Sequence, residues 1–214
     1  MTRFLLVSLF LILPFKASAV EIKLGHSDVK TQIECSRPKH KHVLQRRQKI
    51  DLFINKYKPK IIKRYLNKIV LCNKLSRYGF SWIRGTYDID KRIIFLEIDE
   101  HNDGLYVLHH EFSSILLLNL KKLDKNKWKS YNKEGYIENW RHINMNWTAD
   151  NHLQEKGFLF PYSQQSLEDD FNVMSGLYLS NIFSYNQSLK DARGHYRING
   201  KFLLLKNFYK GLLR

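Results

Sequence analysis

The apolar positions of this chain change period along its length, and each change marks an element. Ile50, Phe53, Ile54 and Tyr57 recur at helical spacing within residues 44–57, as one buried helix face requires. Pro59 interrupts that run, and Ile61, Ile62, Tyr65 and Leu66 resume it as a second helical segment. The apolar stretch 68–72 suits a short strand. Residues 85–89 and 92–98, rich in β-branched and aromatic side chains, predict a hairpin turning at Asp90-Lys91. After Asn102-Asp103-Gly104, residues 105–120 are apolar on nearly every face. A helix of that kind has no solvent side and must be buried. Phe171, Met174, Leu177 and Tyr178 follow Ser166-Leu-Glu-Asp169 at helical spacing, and residues 202–213 predict a closing helix. Residues 121–157 hold no sustained period and read as a long loop region with short structured pieces. The polar residues 20–42, with Lys39-His-Lys-His42, read as an extended, loosely ordered arm. Short strands followed by helices predict an α+β class.

Composition adds compartment and partners. At 214 residues, 43% hydrophobic and 14% aromatic, the chain suits one domain with a sizeable core. Its start has the form of an export leader: Arg3, an apolar run 4–15, then Ala17-Ser18-Ala19. Pro14 and the short run argue against a membrane span. The expected organisation is a leader at 1–19 cleaved after Ala19, an N-terminal extension at 20–43 and a folded domain at 44–214. The expected location is secreted or periplasmic. Losing Arg3 and Lys16 with the leader lowers the formal charge from +16 to +14. That excess favours anionic surfaces, but the lysines are scattered and no nucleic-acid motif accompanies them. The only two cysteines, Cys35 and Cys72, form one disulfide or remain two buried thiols. Trp128, Trp140 and Trp147 either line a groove or anchor the loop region to the core.

The candidate chemistry lies inside the apolar helix. His109, His110, Glu111, Ser113 and Ser114 interrupt it, and buried polar groups must be satisfied. At about 100° per residue, His110, Glu111 and Ser114 share one side of the helix, while His109 points elsewhere. Zinc hydrolases place two histidines and a general base this way in H-E-x-x-H. Here the fifth position is Ser114, and a neutral hydroxyl is a poor zinc ligand. His142, His152 and His195 are the other histidines considered as replacements. Downstream, Tyr162 stands seven residues before Asp169, within the acidic stretch 168–170 that opens a helix. Ser166 and Asp169 also fit a helix-capping box.

Across residues 44–183, these motifs resemble the zinc-binding metallopeptidases of the gluzincin kind that includes anthrax lethal factor. The resemblance implies a zincin-like fold, with a small mixed sheet or hairpin packed on an active-site helix. It implies Glu111 as general base, His110 and Asp169 as metal ligands, with Glu168 able to replace Asp169. Tyr162 would stabilise the oxyanion, and Phe171 would pack the helix. The implied cofactor is zinc, and the implied partner is an extended peptide or protein bound along the hairpin edge. With Ser114 in place of histidine, the expectation divides between a peptidase and a metal-free peptide-binding relative. The rival class is a non-catalytic basic protein that contacts anionic envelope components.

Overall fold

The computed structural model describes residues 20–25, 32–38, 40–81, 83–98, 104–137, 151–180 and 194–214. The leader-like stretch, Lys39, His142, Trp140 and Trp147 lie outside these residues. In chain order the strands are β1 (Glu21–Leu24), β2 (Ile33–Cys35), β3 (Lys68–Cys72), β4 (Leu75–Arg77), β5 (Phe80–Ser81), β6 (Gly85–Asp88) and β7 (Ile93–Glu97). The helices are α1 (His40–Lys56), α2 (Pro59–Tyr65), α3 (Gly104–Asn119), α4 (Lys125–Ser130), α5 (Asn151–Lys156), α6 (Leu167–Ser180) and α7 (Tyr196–Tyr209).

Strand β3 organises the main sheet, whose order is β1-β3-β7-β6. β3 pairs parallel with β1 and with β7, and β6 returns antiparallel to β7. Four consecutive β3 residues, Ile69 to Cys72, are buried, the pattern of a central strand covered on both faces. Alternation still sorts them. Ile69, Leu71, Ile94 and Leu96 join the large helical core. Val70, Cys72, Ile93 and Phe95 face a smaller cluster with Ile33, Cys35 and Leu75. That second face is roofed by a small antiparallel sheet, β2-β4-β5. A Cys35–Cys72 disulfide, with Cα atoms 5.0 Å apart, ties the roof to β3.

Residues 20–25 and 32–38 therefore contribute strands, contrary to the loosely ordered reading. β1 and β2 are four and three residues long, too short to carry a detectable period. Their partners β3 and β4 lie 47 and 40–44 residues away, beyond local pattern. The short structured pieces expected within 121–157 include α4 and α5, six residues each among the described residues. Asp124 caps α4 by accepting from Lys127 N at 2.9 Å, and Trp128 is fully buried as a core anchor. The closing helix starts at Tyr196 rather than Phe202. Gly200 sits inside it, where a Cβ would come within 2.3 Å of the Tyr131 ring. The glycine is a packing requirement, not a helix boundary.

The all-round apolar helix behaves as expected. Leu108, Phe112, Ile115 and Leu116 of α3 are fully buried, each stabilising by about 2 kcal/mol. α3 is flanked by α1, α6 and the sheet strands β6 and β7. Its approach to α6 is close at Gly176, where a Cβ would lie 2.6 Å from the Tyr106 ring.

Candidate active site

Three elements meet around His110 and Glu111. α3 supplies His110, Glu111 and Ser114, edge strand β6 supplies Gly85 and Tyr87, and the first turns of α6 supply Glu168, Asp169 and Asn172. Tyr162 joins from a 3₁₀ turn, Pro161–Gln164, just before α6.

His110 is 8% exposed. Its Nδ1 lies 3.5 Å from the Tyr106 hydroxyl, and its ring is 5.9 Å from that of Tyr162. Burial holds the imidazole down at about 4, so it is neutral at pH 7. Glu111 is 9% exposed. Burial, then the charges of Glu168 and Asp169, push its carboxyl up to about 8, and Arg77 opposes them. The carboxyl packs against the β6 backbone. A Cβ on Gly85 would come within 2.9 Å of Glu111 Oε1 and 2.4 Å of Val107. Only a glycine leaves Glu111 this position.

Both carboxylate oxygens of Asp169 accept a hydrogen bond. Tyr162 donates to Oδ1 at 2.9 Å, and the Ser166 hydroxyl donates to Oδ2 at 2.7 Å. The Ser166 Oγ in turn accepts from Asp169 N at 3.0 Å. This is half of the expected capping box: the carboxylate returns to the hydroxyl rather than to a backbone N–H. Burial raises the Asp169 carboxyl, against the two hydrogen bonds. Burial and Asp169 raise the Tyr162 phenol well above its ordinary range, so it stays a donor. Glu168 accepts from Tyr87 Oη at 2.7 Å and stays near enough to Glu111 for its charge to raise that carboxyl.

Ser114 is held too. Asn172 Nδ2 donates to Ser114 Oγ at 2.6 Å. The Ser113 hydroxyl lies 2.8 Å from Asn172 Oδ1 and 2.6 Å from the His110 carbonyl, two acceptors for one proton. The amide thus clasps adjacent serines across the α3–α6 interface. Sequence reasoning missed Asn172 and Tyr87. The available signal was reciprocal: a polar residue inside Phe171-Asn172-Val173 needed a partner, and so did Ser113-Ser114 inside α3.

The remaining candidates fall elsewhere. His109 is a core residue. Its Nδ1 is 2.9 Å from Tyr57 Oη and its ring packs on Phe53 and Tyr57. His152 lies on α5, and His195 precedes α7. Asp170, next to Asp169, turns into the core. It pairs there with Lys201 and accepts from Trp128 Nε1 at 2.8 Å and Tyr136 Oη at 3.0 Å.

A zinc site needs about three protein donors around one point. Among the described residues, no group of three His, Cys, Asp or Glu side chains is placed to hold a metal. Each Asp169 oxygen accepts one hydrogen bond and keeps a second lone pair, while the Ser114 hydroxyl, a poor zinc ligand, accepts from an amide. As placed, the described side chains fall short of the three donors that zinc needs.

Residues 46–212 match a family model described as "putative zinc-binding metallo-peptidase". The fold is similar to a crystal structure described as a putative zinc-binding metallo-peptidase from Bacteroides caccae. The TM-score is 0.59 at 13% identity, covering 90% of this chain and 79% of that one. No curated protein matches the sequence.

Proposed function

The chain belongs to the family of putative zinc-binding metallo-peptidases and has its zincin-like α+β fold, and from that premise we propose that it is a metal-free, peptide-binding member. One observation carries the reading: the Asn172 amide clasps Ser114, where the family motif calls for a second imidazole. A serine oxygen held this way has one of its two lone pairs directed at an N–H. Replacing the donor would cost a buried hydrogen bond before any metal was gained.

What remains is a recognition surface. β6 pairs only with β7 among the described strands, so its outer edge offers backbone groups to an extended peptide. Gly85 and Tyr87 lie on the α3 side of that edge. Tyr162 and Tyr87 keep their hydroxyl protons. Glu111, which makes no hydrogen bond to a described residue, is free to pair with a peptide amide or carbonyl. Export fits the same picture, since a disulfide persists in an oxidising compartment.

The test has two parts. Protein purified without chelator is analysed for zinc, and a library of extended peptides is screened for binding and cleavage. The reading expects no stoichiometric zinc, no cleavage, and saturable binding that is lost when alternate peptide amides are N-methylated. One tightly held zinc per chain, with cleavage abolished in Glu111→Gln, would overturn it in favour of a peptidase.

A further inference from the structure

Arg77 is a half-buried cation at the end of β4, in the small roof sheet. It stands two residues after Leu75, whose side chain joins the cluster under the roof, so both leave β4 on the same side, toward the main sheet. Its Nη1 donates to the Thr86 hydroxyl at 2.8 Å, and its guanidinium carbon lies 5.0 Å from the Tyr78 ring. Those contacts fix the group beside edge strand β6. Its Nε is buried with no hydrogen-bond partner, and no carboxylate among the described residues forms an ion pair with it. A guanidinium has five N–H donors, of which Thr86 takes one. Buried donors are almost always partnered, so an unpaired one in a cation beside an open strand edge points to a ligand.

Thr86 sets the face on which that ligand arrives. It is level with Phe95 of β7, which also belongs to the cluster under the roof. Its neighbours Gly85 and Tyr87 face α3, as strand alternation requires. The backbone alternates as well. Arg84 O accepts from Glu97 N at 2.9 Å, so residues 84, 86 and 88 turn their backbone groups toward β7. Gly85 and Tyr87 turn theirs to the open edge. A peptide strand added there presents its side chains to alternate faces. Those level with Gly85 and Tyr87 enter the α3 face, beside Glu111 and Glu168. The one level with Thr86 lands on the roof face, beside Arg77. The Arg77 charge is felt at Glu111 across the strand, where it lowers the carboxyl against burial.

We propose that Arg77 is a specificity-determining residue: the peptide strand added to β6 carries Asp or Glu at the position level with Thr86. The inference rests on the strand-addition reading above and names the side chain that the edge selects. An apolar side chain there would leave the buried Nε unsatisfied, and a cation would be repelled. A carboxylate brings opposite charge and two acceptor oxygens to the guanidinium fork.

The test titrates the full chain with acetyl-Thr-Val-X-Val-Thr-amide, where X is Glu, Gln or Lys. Blocked ends leave X as the only charge, and so short a peptide is free to slide until X meets Arg77. The Glu peptide should bind at least about tenfold more tightly than the Gln peptide, with Lys weakest. In Arg77→Met that gap should close while the Gln peptide binds as in the parent, which shows that fold and strand edge persist. Arg77→Lys should restore part of the gap. Arg77→Gln, which keeps a donor for Thr86, takes the place of Arg77→Met if the latter does not fold. Equal binding of the Glu and Gln peptides, or a gap that survives loss of the Arg77 charge, overturns the assignment and leaves strand addition standing. No saturable binding by any of the three peptides overturns strand addition, and this inference with it.

Discussion

Replacing Lys201 by methionine tests the interior most directly. Lys201 and Asp170 are each fully buried. Burial pushes the lysine down and the aspartate up, while their mutual attraction opposes both shifts. The ammonium also donates to the Gly157 carbonyl and lies 4.8 Å over the Phe158 ring. Asp170 Oδ2 has three donors, from Lys201, Trp128 and Tyr136, but Oδ1 is buried without a partner. Lys201→Met therefore leaves a buried carboxylate with two neutral donors and no cation. Breaking such a pair from one side costs about 3–5 kcal/mol, a large share of a total near 5–15 kcal/mol. Removing both charges costs less, because no orphan remains. Asp170→Asn/Lys201→Met should recover at least about 2 kcal/mol of the single-variant loss. Urea unfolding followed by tryptophan emission suits the measurement, since the Trp128 indole itself donates to Asp170. A Lys201→Met cost below about 1 kcal/mol, or a double variant no more stable than the single, would refute the argument.

Two further outcomes follow from buried polar groups. Asn172→Ala removes the clasp on Ser113 and Ser114 and should cost about 1–3 kcal/mol in denaturant unfolding. Converting both serines to alanine and Asn172 to leucine should cost less than the single change; a larger cost would mean that the clasp is not the source of the effect. The second outcome is a pH dependence. Burial first, and then the charge of Lys56, hold His109 at about 3 against an ordinary 6.5. The unfolded chain then binds a proton that the folded chain refuses, so stability present above pH 6.5 is lost as pH falls toward 3. At about 1.4 kcal/mol per pH unit, this group removes on the order of 3 kcal/mol between pH 7 and pH 4. His109→Gln should flatten that limb by the same amount, and parallel stability curves for parent and variant would contradict it.

Legibility varied with the distance over which each feature is decided. α3, the β6–β7 hairpin, α2 and α6 show in local periodicity because each buries a face along contiguous residues. His109 was separable from His110 by helix geometry alone, since adjacent residues point about 100° apart. β1 and β2 were not legible, because their stability comes from partners 40 to 47 residues away. Asp170 shows the same limit. In sequence it is the third acid of a helix start, with no spacing that marks it for the core. In space the three diverge: Glu168 goes to Tyr87, Asp169 to Tyr162 and Ser166, and Asp170 to Lys201.

Family membership, the α+β class and the approach of α3 to the Tyr162–Asp169 segment were written in residue order, because periodicity and motif spacing are properties of the chain alone. The state of the site was not. A serine in place of a histidine says only that an imidazole is missing, and leaves open whether other donors converge to replace it. The contacts made there depend on Asn172, one turn along α6, reaching the Ser114 hydroxyl, and on two hydroxyls that donate to Asp169. Hydrogen bonds formed across packed helices commit lone pairs, and no local pattern encodes which groups will meet.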